Sequence, residues 1–426
     1  MGEMDMSDGG HMDHSHPVSF TINMTFPLFL HLLCFFVSFG LVYPYSFACK
    51  RAGMSQRHLI FQIVGAALGI VGFITGHFSG FAWYNSWYAD IGCIFSWGIT
   101  AGSFLLLIYV PKGVLSHMRN AIDVVHTAAS VAQPLVCWVT TGLSVISLLQ
   151  YCGSEGDHVG QCLAHGIMGT AFVTYGVLLL LMMFCGDAFL KRINRSQECL
   201  DSWTIMIWGI INTFTEHRWG RPWGHGDVQH TSMGVVWWAM GALGVYMSWD
   251  RVNDRPKRNH LPALIILATG YAMMTHTQHL MVSTQVHFMF GVMLSFTALA
   301  RIIEISFVLK DTSPKGTNPN TWQYLTPMFM IMSGMMFMSA TEEAMEFLHE
   351  QSIMPAPYVL LIASVASLIF LSAIFVIQSY IKMRAVTDDQ FLSKEETEDG
   401  MEMPFLQTDG SRREADLNHR DFEISE

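Results

Sequence analysis

The sequence predicts an all-α polytopic integral membrane protein, a helical bundle of about eleven transmembrane helices with its N-terminus outside or lumenal and its C-terminus cytosolic. Of its 426 residues, 51% are hydrophobic and 13% are charged, whereas soluble proteins carry about 25% charged residues. The charge is also uneven, because residues 385–426 hold 13 Asp or Glu and 4 Lys or Arg. This composition excludes an ordinary soluble enzyme and offers no basic surface for nucleic acid.

Eleven apolar runs approach the length of a transmembrane helix, which needs about 20 mostly apolar residues. The sixth run is short and ends in polar residues, so length alone leaves it doubtful. The runs begin near Phe26, Leu59, Ile91, Ala128, Ile167, Ser202, Ser232, Leu261, Val286, Trp322 and Tyr358, and the last ends near Met383.

The distribution of basic residues supports the eleven spans and their orientation. With the N-terminus outside, 20 of the 23 Lys and Arg residues fall in inner loops or in the tail, as the positive-inside rule requires. If the sixth run did not cross, the basic segment 251–258 would face outside and the asymmetry would be lost. We therefore predict that the sixth run crosses.

These features divide the chain into four parts. Residues 1–25 are a flexible Met- and His-rich outer arm, 26–150 a four-helix membrane domain, 163–384 a seven-helix membrane domain, and 385–426 a disordered acidic cytosolic tail. The arm resembles in composition the Met/His-rich arms of Ctr-type copper transporters and could gather copper or zinc. Cys152 and Cys162 lie in an outer loop, where the compartment allows either a disulfide or two free thiols.

Histidines and glutamates of the second half are concentrated at outer helix ends, which predicts a metal site. Imidazole and carboxylate together suit Zn, Fe, Cu or Mn. His276 and His279 are expected on one helix face, and Glu342, Glu346 and His349 on another. A polar network satisfied by water is the alternative. The candidate metal ligands are His217, His225, His230, His276, His279, His287, Glu342, Glu346 and His349.

Two other patterns in the second half have simpler interpretations. Met328, Met332 and Met336 follow one another at four-residue spacing. Such a thioether row could pass Cu(I), but it is also typical of an ordinary packed core. Arg301 and Glu304 lie one turn apart in the ninth span and are predicted to form an internal ion pair.

Four histidines of the first half are candidate haem ligands. His31 and His77 are expected near the outer ends of spans one and two, and His58 and His126 at the inner ends of spans two and four. The arrangement resembles the four-helix core of the ascorbate-dependent two-haem cytochrome b superfamily. That resemblance implies an inner haem b between His58 and His126, whereas the outer pair is incomplete and His77 would have to join His31. A related helical fold without haem is the alternative.

The second half also resembles a more specific family. Residues 213–238, 276–292, 298–309 and 341–347 look like the Ytp-like C-terminal domain of fungal multi-spanning membrane proteins. Together with the usual N-terminal partner domain, the resemblance covers roughly residues 20–384. It implies a metal-binding, organelle-associated membrane protein with likeness to electron-transport proteins.

Three functions follow as expectations. The first is an outward-facing metal site in a transmembrane electron-transfer protein or metalloreductase that uses Fe, Cu or Zn. The second is a non-redox metal transporter or metal-homeostasis protein. One observation counts against it, because no chain of acidic or His residues continues through the membrane midplane to the inside. The third is a structural or trafficking protein. The expected partners are the lipid bilayer and metal ions but not nucleic acid, and the location is an endomembrane organelle or the plasma membrane.

Overall fold

A computed structural model describes residues 25–79, 120–121, 123–130, 132, 138, 159–217, 220, 222–276, 278–309 and 319–401. The predicted outer arm, the run near Ile91 and Cys152 lie outside these residues, as does most of the run near Ala128. Cys162 is disulfide-bonded. The described part is almost entirely helical, as predicted.

The described residues form eleven numbered α-helices, two π-helical segments and one short hairpin. The helices are α1 Phe26–Val37, α2 Tyr43–Arg51, α3 Ser55–His77, α4 Val159–Ile193, α5 Gln197–Thr215, α6 His225–Met247, α7 Leu261–Met274, α8 Met281–Ile303, α9 Thr321–Met338, α10 Glu342–Glu350 and α11 Pro355–Met401. The π-helical segments are Ser38–Val42 and Glu304–Val308, and strands β1 Trp249–Asp250 and β2 Arg255–Pro256 pair antiparallel.

Five continuous helical stretches of the described chain are long and apolar enough to cross a membrane. They are Phe26–Arg51, Ser55–His77, Cys162–Ile193, Met281–Val308 and Pro355–Asp388, and Leu261–Met274 is a shorter apolar helix. Large apolar side chains of α11, such as Leu360, Leu361 and Leu371, are exposed, as a lipid-facing surface requires. The other predicted runs within the described part also coincide with helices, and their crossing stays a prediction.

Helices α4, α8 and α9 pack together at the centre of the second half, with α7 against α8 and α5 against α6. Several crossings bring backbones into direct contact at glycines, and two of them involve α8 or α9. A Cβ on Gly291 of α8 would lie 2.5 Å from the Gly270 carbonyl of α7, and a Cβ on Gly334 of α9 would lie 2.6 Å from the Gly169 carbonyl of α4. Any larger residue would push these helices apart.

The methionines of α9 take part in ordinary packing. Met336 is buried in a core with Met273, Phe290, Leu294 and Val359. The described contacts therefore favour the core interpretation of the methionine row.

Helix boundaries differ from the prediction at two points near the proposed site. Thr341 accepts a hydrogen bond from the Ala344 N–H and begins α10 as a separate helix, since a threonine at this position satisfies a free backbone N–H. The segment TEEAMEFLHE therefore does not end the preceding span. Likewise α7 ends at Met274, so His276 and His279 lie in a loop and do not share a helix face.

The C-terminal helix is longer than expected. Helix α11 continues to Met401, into the segment predicted to be disordered. Arg384 and Asp388 form an ion pair one turn apart in this extension, with Nη2 and Oδ1 3.2 Å apart. Glu, Lys and Leu of residues 392–398 are also good helix formers, which gives the physical reason for the continuation.

Candidate functional site

Four histidine rings from different parts of the bundle form a row at one end of the second half. His165 lies on α4, His287 on α8, His276 just after α7 and His230 on α6. Neighbouring ring centroids are 6.0 Å apart between His165 and His287, 6.0 Å between His287 and His276, and 5.9 Å between His276 and His230. We call these four residues the histidine row.

Two adjacent members of the row, at its α4 end, are the most enclosed. His165 and His287 are buried, with 6% and 5% of their surface exposed. The Nδ1–H of His287 donates to the Ser283 carbonyl at 2.9 Å. In the neutral imidazole this hydrogen bond leaves Nε2 with a free lone pair, the form in which histidine binds metals or accepts protons.

The other two members, His276 and His230, are held by polar side chains of neighbouring elements. The Nδ1 of His230 lies 3.2 Å from a carboxylate oxygen of Glu216, which follows α5. The Nδ1 of His276 is hydrogen-bonded to the amide oxygen of Gln229 on α6. Each ring is therefore oriented by a partner from another element.

A further histidine, His217, follows α5 and contacts the first turn of α6 and the residue Trp223 before it. The Nδ1 of His217 is 3.2 Å from Oδ2 of Asp227, and its ring stacks on Trp223 with centroids 4.0 Å apart. The Gly224 N–H, which donates to the same Asp227 oxygen at 3.0 Å, and His217 hold the pKa of Asp227 below its ordinary value. This carboxylate is therefore ionised at neutral pH and available as an anchor for His217.

The remaining predicted ligands are placed differently. His279 is exposed, as are Glu346 and His349 on α10, while Glu342 is partly buried. The buried face of α10 consists instead of Ala344, Met345 and Leu348. No hydrogen bond or ring contact between described side chains joins His279 or His349 to the row, and the side chain of His225 lies outside the described part.

No three His, Cys, Asp or Glu groups of the described residues converge closely enough to hold a metal ion. The predicted site therefore divides, and His230, His276 and His287 come together while His279 and His349 stay apart. Sequence reasoning missed His165 as a member of the row. The available signal was a histidine in the outer half of an apolar helix, since such a residue usually has a polar partner.

The opposite end of the same bundle contains buried ionic residues, which we call the inner ion cluster. Arg301 Nη1 lies 2.8 Å from Oε2 of Glu304, which confirms that predicted pair, and Arg301 Nη2 lies 2.9 Å from Oε1 of Glu198. Arg258 Nη1 contacts the same oxygen of Glu198 at 3.2 Å. The fifth member is Asp201, whose carboxylate accepts a hydrogen bond from the Tyr175 hydroxyl.

Glu198 and Asp201 were not identified as functional candidates from the sequence. Their three-residue spacing near the start of α5 was the available signal, because carboxylates within a membrane helix usually mark an ion or proton pathway. The structure therefore adds two buried carboxylates to the Arg301–Glu304 pair that the sequence predicts.

A cavity of about 120 Å³ adjoins the inner ion cluster and extends along α4 as far as Met168, one turn from His165. Its wall includes Met168 and Phe172, which follow His165 on the same face of α4, and also Tyr175, Asp201 and Arg301. His287 and Arg301 are 14 residues apart on α8, which corresponds to about 21 Å along the helix axis. The cavity therefore occupies part of the distance between the two groups of polar residues.

The first half brings one predicted haem pair together. Nε2 of His58 and Nε2 of His126 lie 3.3 Å apart, and His58 Nδ1 lies 2.8 Å from the Ser46 carbonyl, to which it donates. His31 Nδ1 donates to the Gly72 carbonyl at 2.8 Å, whereas His77 is exposed. The inner pair is adjacent, and the two outer histidines have separate surroundings.

Comparison with known proteins shows the relatives of the chain. A family model described as "Protein YTP1-like, C-terminal" matches residues 136–381. The chain is 38% identical over 306 residues to Protein YTP1 of Saccharomyces cerevisiae, covering 71% of this chain and 64% of that protein. It is 28% identical over 232 residues to an uncharacterized membrane protein of Schizosaccharomyces pombe, covering 44% of this chain and 45% of that protein.

A second uncharacterized membrane protein of Saccharomyces cerevisiae is 25% identical over 263 residues, covering 50% of this chain and 41% of that protein. The chain thus spans less than two thirds of the length of each of these relatives. No solved structure matches it. Because the family model covers more than half of the chain, this integral membrane protein belongs to the YTP1-like family.

Proposed function

We propose that the protein binds a transition-metal ion, Fe, Cu or Zn, at the outer end of the second half and passes it toward the inside. The histidine row carries this proposal, because four elements each contribute one imidazole to a continuous set with neighbouring centroids about 6 Å apart. Imidazole is the commonest metal ligand among side chains. A chance arrangement of four such groups within an apolar bundle is costly and therefore unusual.

The hydrogen bonds around the row support the same proposal. Metal-bound histidines usually donate their second ring N–H to a carboxylate or carbonyl oxygen. Glu216 supplies such a carboxylate to His230, and Ser283 supplies a carbonyl to His287. Ion binding requires the side chains of the row to rotate toward a common point.

The inner end of the bundle favours transport over reduction at the outer surface. Glu198, Asp201 and Glu304 supply carboxylates about 20 Å inward of the row, and the internal cavity occupies part of that distance. A metalloreductase that acts only at the outer face needs no such groups. Buried carboxylates of this kind usually mark a pathway through the membrane, as a transporter needs.

Elemental analysis of the full chain, purified in detergent and exposed to Zn²⁺, Cu²⁺ or Fe²⁺ before dialysis, tests the site. We expect bound metal in the wild type, loss of that metal in the His230→Ala/His276→Ala variant, and retention in His279→Ala/His349→Ala. The second variant is a matched control because it removes two exposed histidines. Equal metal content in the two variants would exclude the row, and no bound metal in the wild type would exclude the proposal.

Electron transfer through haem is a second candidate, supported by the facing Nε2 atoms of His58 and His126. In that case His58 and His126 would hold the haem iron, which would supply one-electron transfer. Their Nε2 atoms lie 3.3 Å apart, so haem binding would require the two rings to separate. A Soret absorption band that disappears in His58→Ala/His126→Ala supports this candidate, and a wild type without that band after growth with haem removes it.

A further inference from the structure

The inner ion cluster contains one more acidic than basic group. Glu198, Asp201 and Glu304 face Arg258 and Arg301. Both arginines are engaged by the glutamates, since Arg301 lies between Glu198 and Glu304 and Arg258 makes a second contact to Glu198. Among the described residues Asp201 takes part in no ion pair, so its carboxyl is the group whose charge is not balanced.

The surroundings of Asp201 disfavour a bare negative charge. Asp201 is 8% exposed. The groups that face it are the Tyr175 hydroxyl from α4, Arg301 from α8, Glu304 from the following π-helical segment and Glu198 from its own helix. The cavity-lining residues of α6 and α7, including Trp237 and Thr269, are not ionisable. A buried carboxyl without a counter-ion is normally neutralised by a proton.

The cavity extends from Asp201 toward the outer end. Met168, Phe172 and Tyr175 continue the face of α4 that begins at His165, and all three line the cavity. Tyr175 is ten residues from His165, or about 15 Å along the helix. A volume of about 120 Å³ has room for several water molecules, since one needs about 10–15 Å³ by this measure, and Tyr175, Asp201 and Arg301 are polar partners for water at its inner end.

Polar side chains are present along the cavity and beyond it. The hydroxyls of Thr269, Thr297 and Thr326 belong to residues that line the cavity and can hydrogen-bond to water there. On the inner side, Glu198 contacts Arg258, whose side chain is 31% exposed. Asp201 therefore lies between a route toward the histidine row and a group that reaches the inner surface.

We propose that Asp201 is the intramembrane proton-binding station of a proton pathway that enters at the histidine row, crosses the cavity and leaves through the inner ion cluster. A proton arriving through the row and the cavity water bonds to a carboxylate oxygen of Asp201. The Tyr175 hydroxyl then donates to the carboxyl oxygen that does not carry the proton. Release of the proton toward Glu198 restores the carboxylate. This step requires no metal, so it stands or fails separately from metal binding at the row.

Proton flux through the full chain in liposomes tests the pathway. Vesicles loaded with a pH-sensitive dye receive a potassium diffusion potential. We expect wild-type vesicles to change internal pH faster than protein-free vesicles, Asp201→Asn to fall to the protein-free rate, and Asp201→Glu to retain flux. Asp187→Asn is the matched control because Asp187 is an exposed aspartate of α4. A wild-type rate equal to that of protein-free vesicles, or unchanged flux in Asp201→Asn, would overturn the proposal.

Infrared spectroscopy of the same proteins tests proton binding directly. Between acidic and alkaline buffer, the wild type is expected to show the C=O stretching band of a protonated carboxyl, with loss of that band in Asp201→Asn and retention in Asp187→Asn. Tyr175→Phe should keep the band but shift it to higher frequency, since one hydrogen bond to the C=O is removed. A band of equal size in Asp201→Asn would show that another group holds the proton and would overturn the assignment.

Discussion

At the scale of single residues, the members of the histidine row differ in how firmly they are held. His287 is buried and bonded to a backbone carbonyl. The His230 side chain is 37% exposed and bonded to the Glu216 side chain. The buried ring is therefore positioned by the fold itself, whereas the outer ring can move with its partner.

Removing His287 should destabilise the protein. We expect His287→Ala to lower the free energy of unfolding by about 1–3 kcal/mol, because a buried hydrogen bond is lost and a small void remains. Thermal unfolding in detergent measures the change, with exposed His279→Ala as the control. An equal loss in both variants would contradict the packed position of His287.

Removing Arg301 should cost more. Arg301→Ala leaves Glu198 and Glu304 buried without their shared cation, and breaking a buried ion pair in this way costs about 3–5 kcal/mol. Arg384→Ala is the control, because its ion pair with Asp388 is exposed and such pairs contribute about 0–1 kcal/mol. Similar melting temperatures for the two variants would contradict the contribution of the Arg301 ion pairs to stability.

The lowered pKa of Asp227 predicts a dependence on pH. A carboxyl whose pKa is lower in the folded state contributes stability above its unfolded pKa of about 3.9, and this contribution is lost as pH falls through the folded value. Asp227→Asn should therefore melt at a lower temperature than the wild type at pH 7, and the difference should disappear in strong acid. A difference that stays constant with pH would contradict the role of this charge.

At the scale of helices, glycine crossings determine whether the row can form. The contact of Gly291 with Gly270 and Met274 brings the end of α7, followed by His276, against α8 one turn after His287. A side chain at the crossing would separate these two elements and widen the spacing of the two rings.

Gly291→Ala tests this dependence. The added Cβ would lie 2.5 Å from the Gly270 carbonyl, so we expect a loss of about 1–3 kcal/mol in unfolding free energy from overpacking. Gly166→Ala is the control, since a Cβ there meets nothing within 4 Å and should be neutral or slightly stabilising. Thermal unfolding compares the two, and equal destabilisation would contradict the close crossing.

The apolar pattern of the sequence predicted where helices lie better than it predicted which side chains share a helix face. The runs near Leu59, Val286 and Tyr358 are helices because apolar length alone determines them. The pairing of His276 with His279 was wrong because α7 ends before both residues. A helix end in an apolar segment depends on tertiary packing, which local sequence does not contain.

At the scale of the whole molecule, the site could be predicted only in part. The concentration of histidines at one end was visible from the topology, and it led to His230, His276 and His287. The place of His165 in the row and the link between Asp201 and Tyr175 depend on contacts between distant helices. Such contacts leave no pattern in a single sequence.

The predicted orientation can be tested on the full chain. Acceptor sites for N-glycosylation inserted after Gly224 and after Asn253 lie on opposite sides under the eleven-span topology. We expect glycosylation of the first and none of the second, as measured by a mass shift on gels. The disulfide at Cys162 agrees with an outer location for the N-terminal end of α4. Glycosylation at residue 253 would contradict the topology.

Helix α7 has a consequence for the surrounding lipid. Its 14 residues extend about 21 Å, whereas the hydrocarbon core of a bilayer is about 30 Å thick. If its inner end lies at the interface, His276 lies several ångströms below the opposite headgroups, and the bilayer must thin or admit water there. Such hydrophobic mismatch makes the conformation of the protein sensitive to acyl-chain length, so membranes of different thickness would open or close the approach to the histidine row.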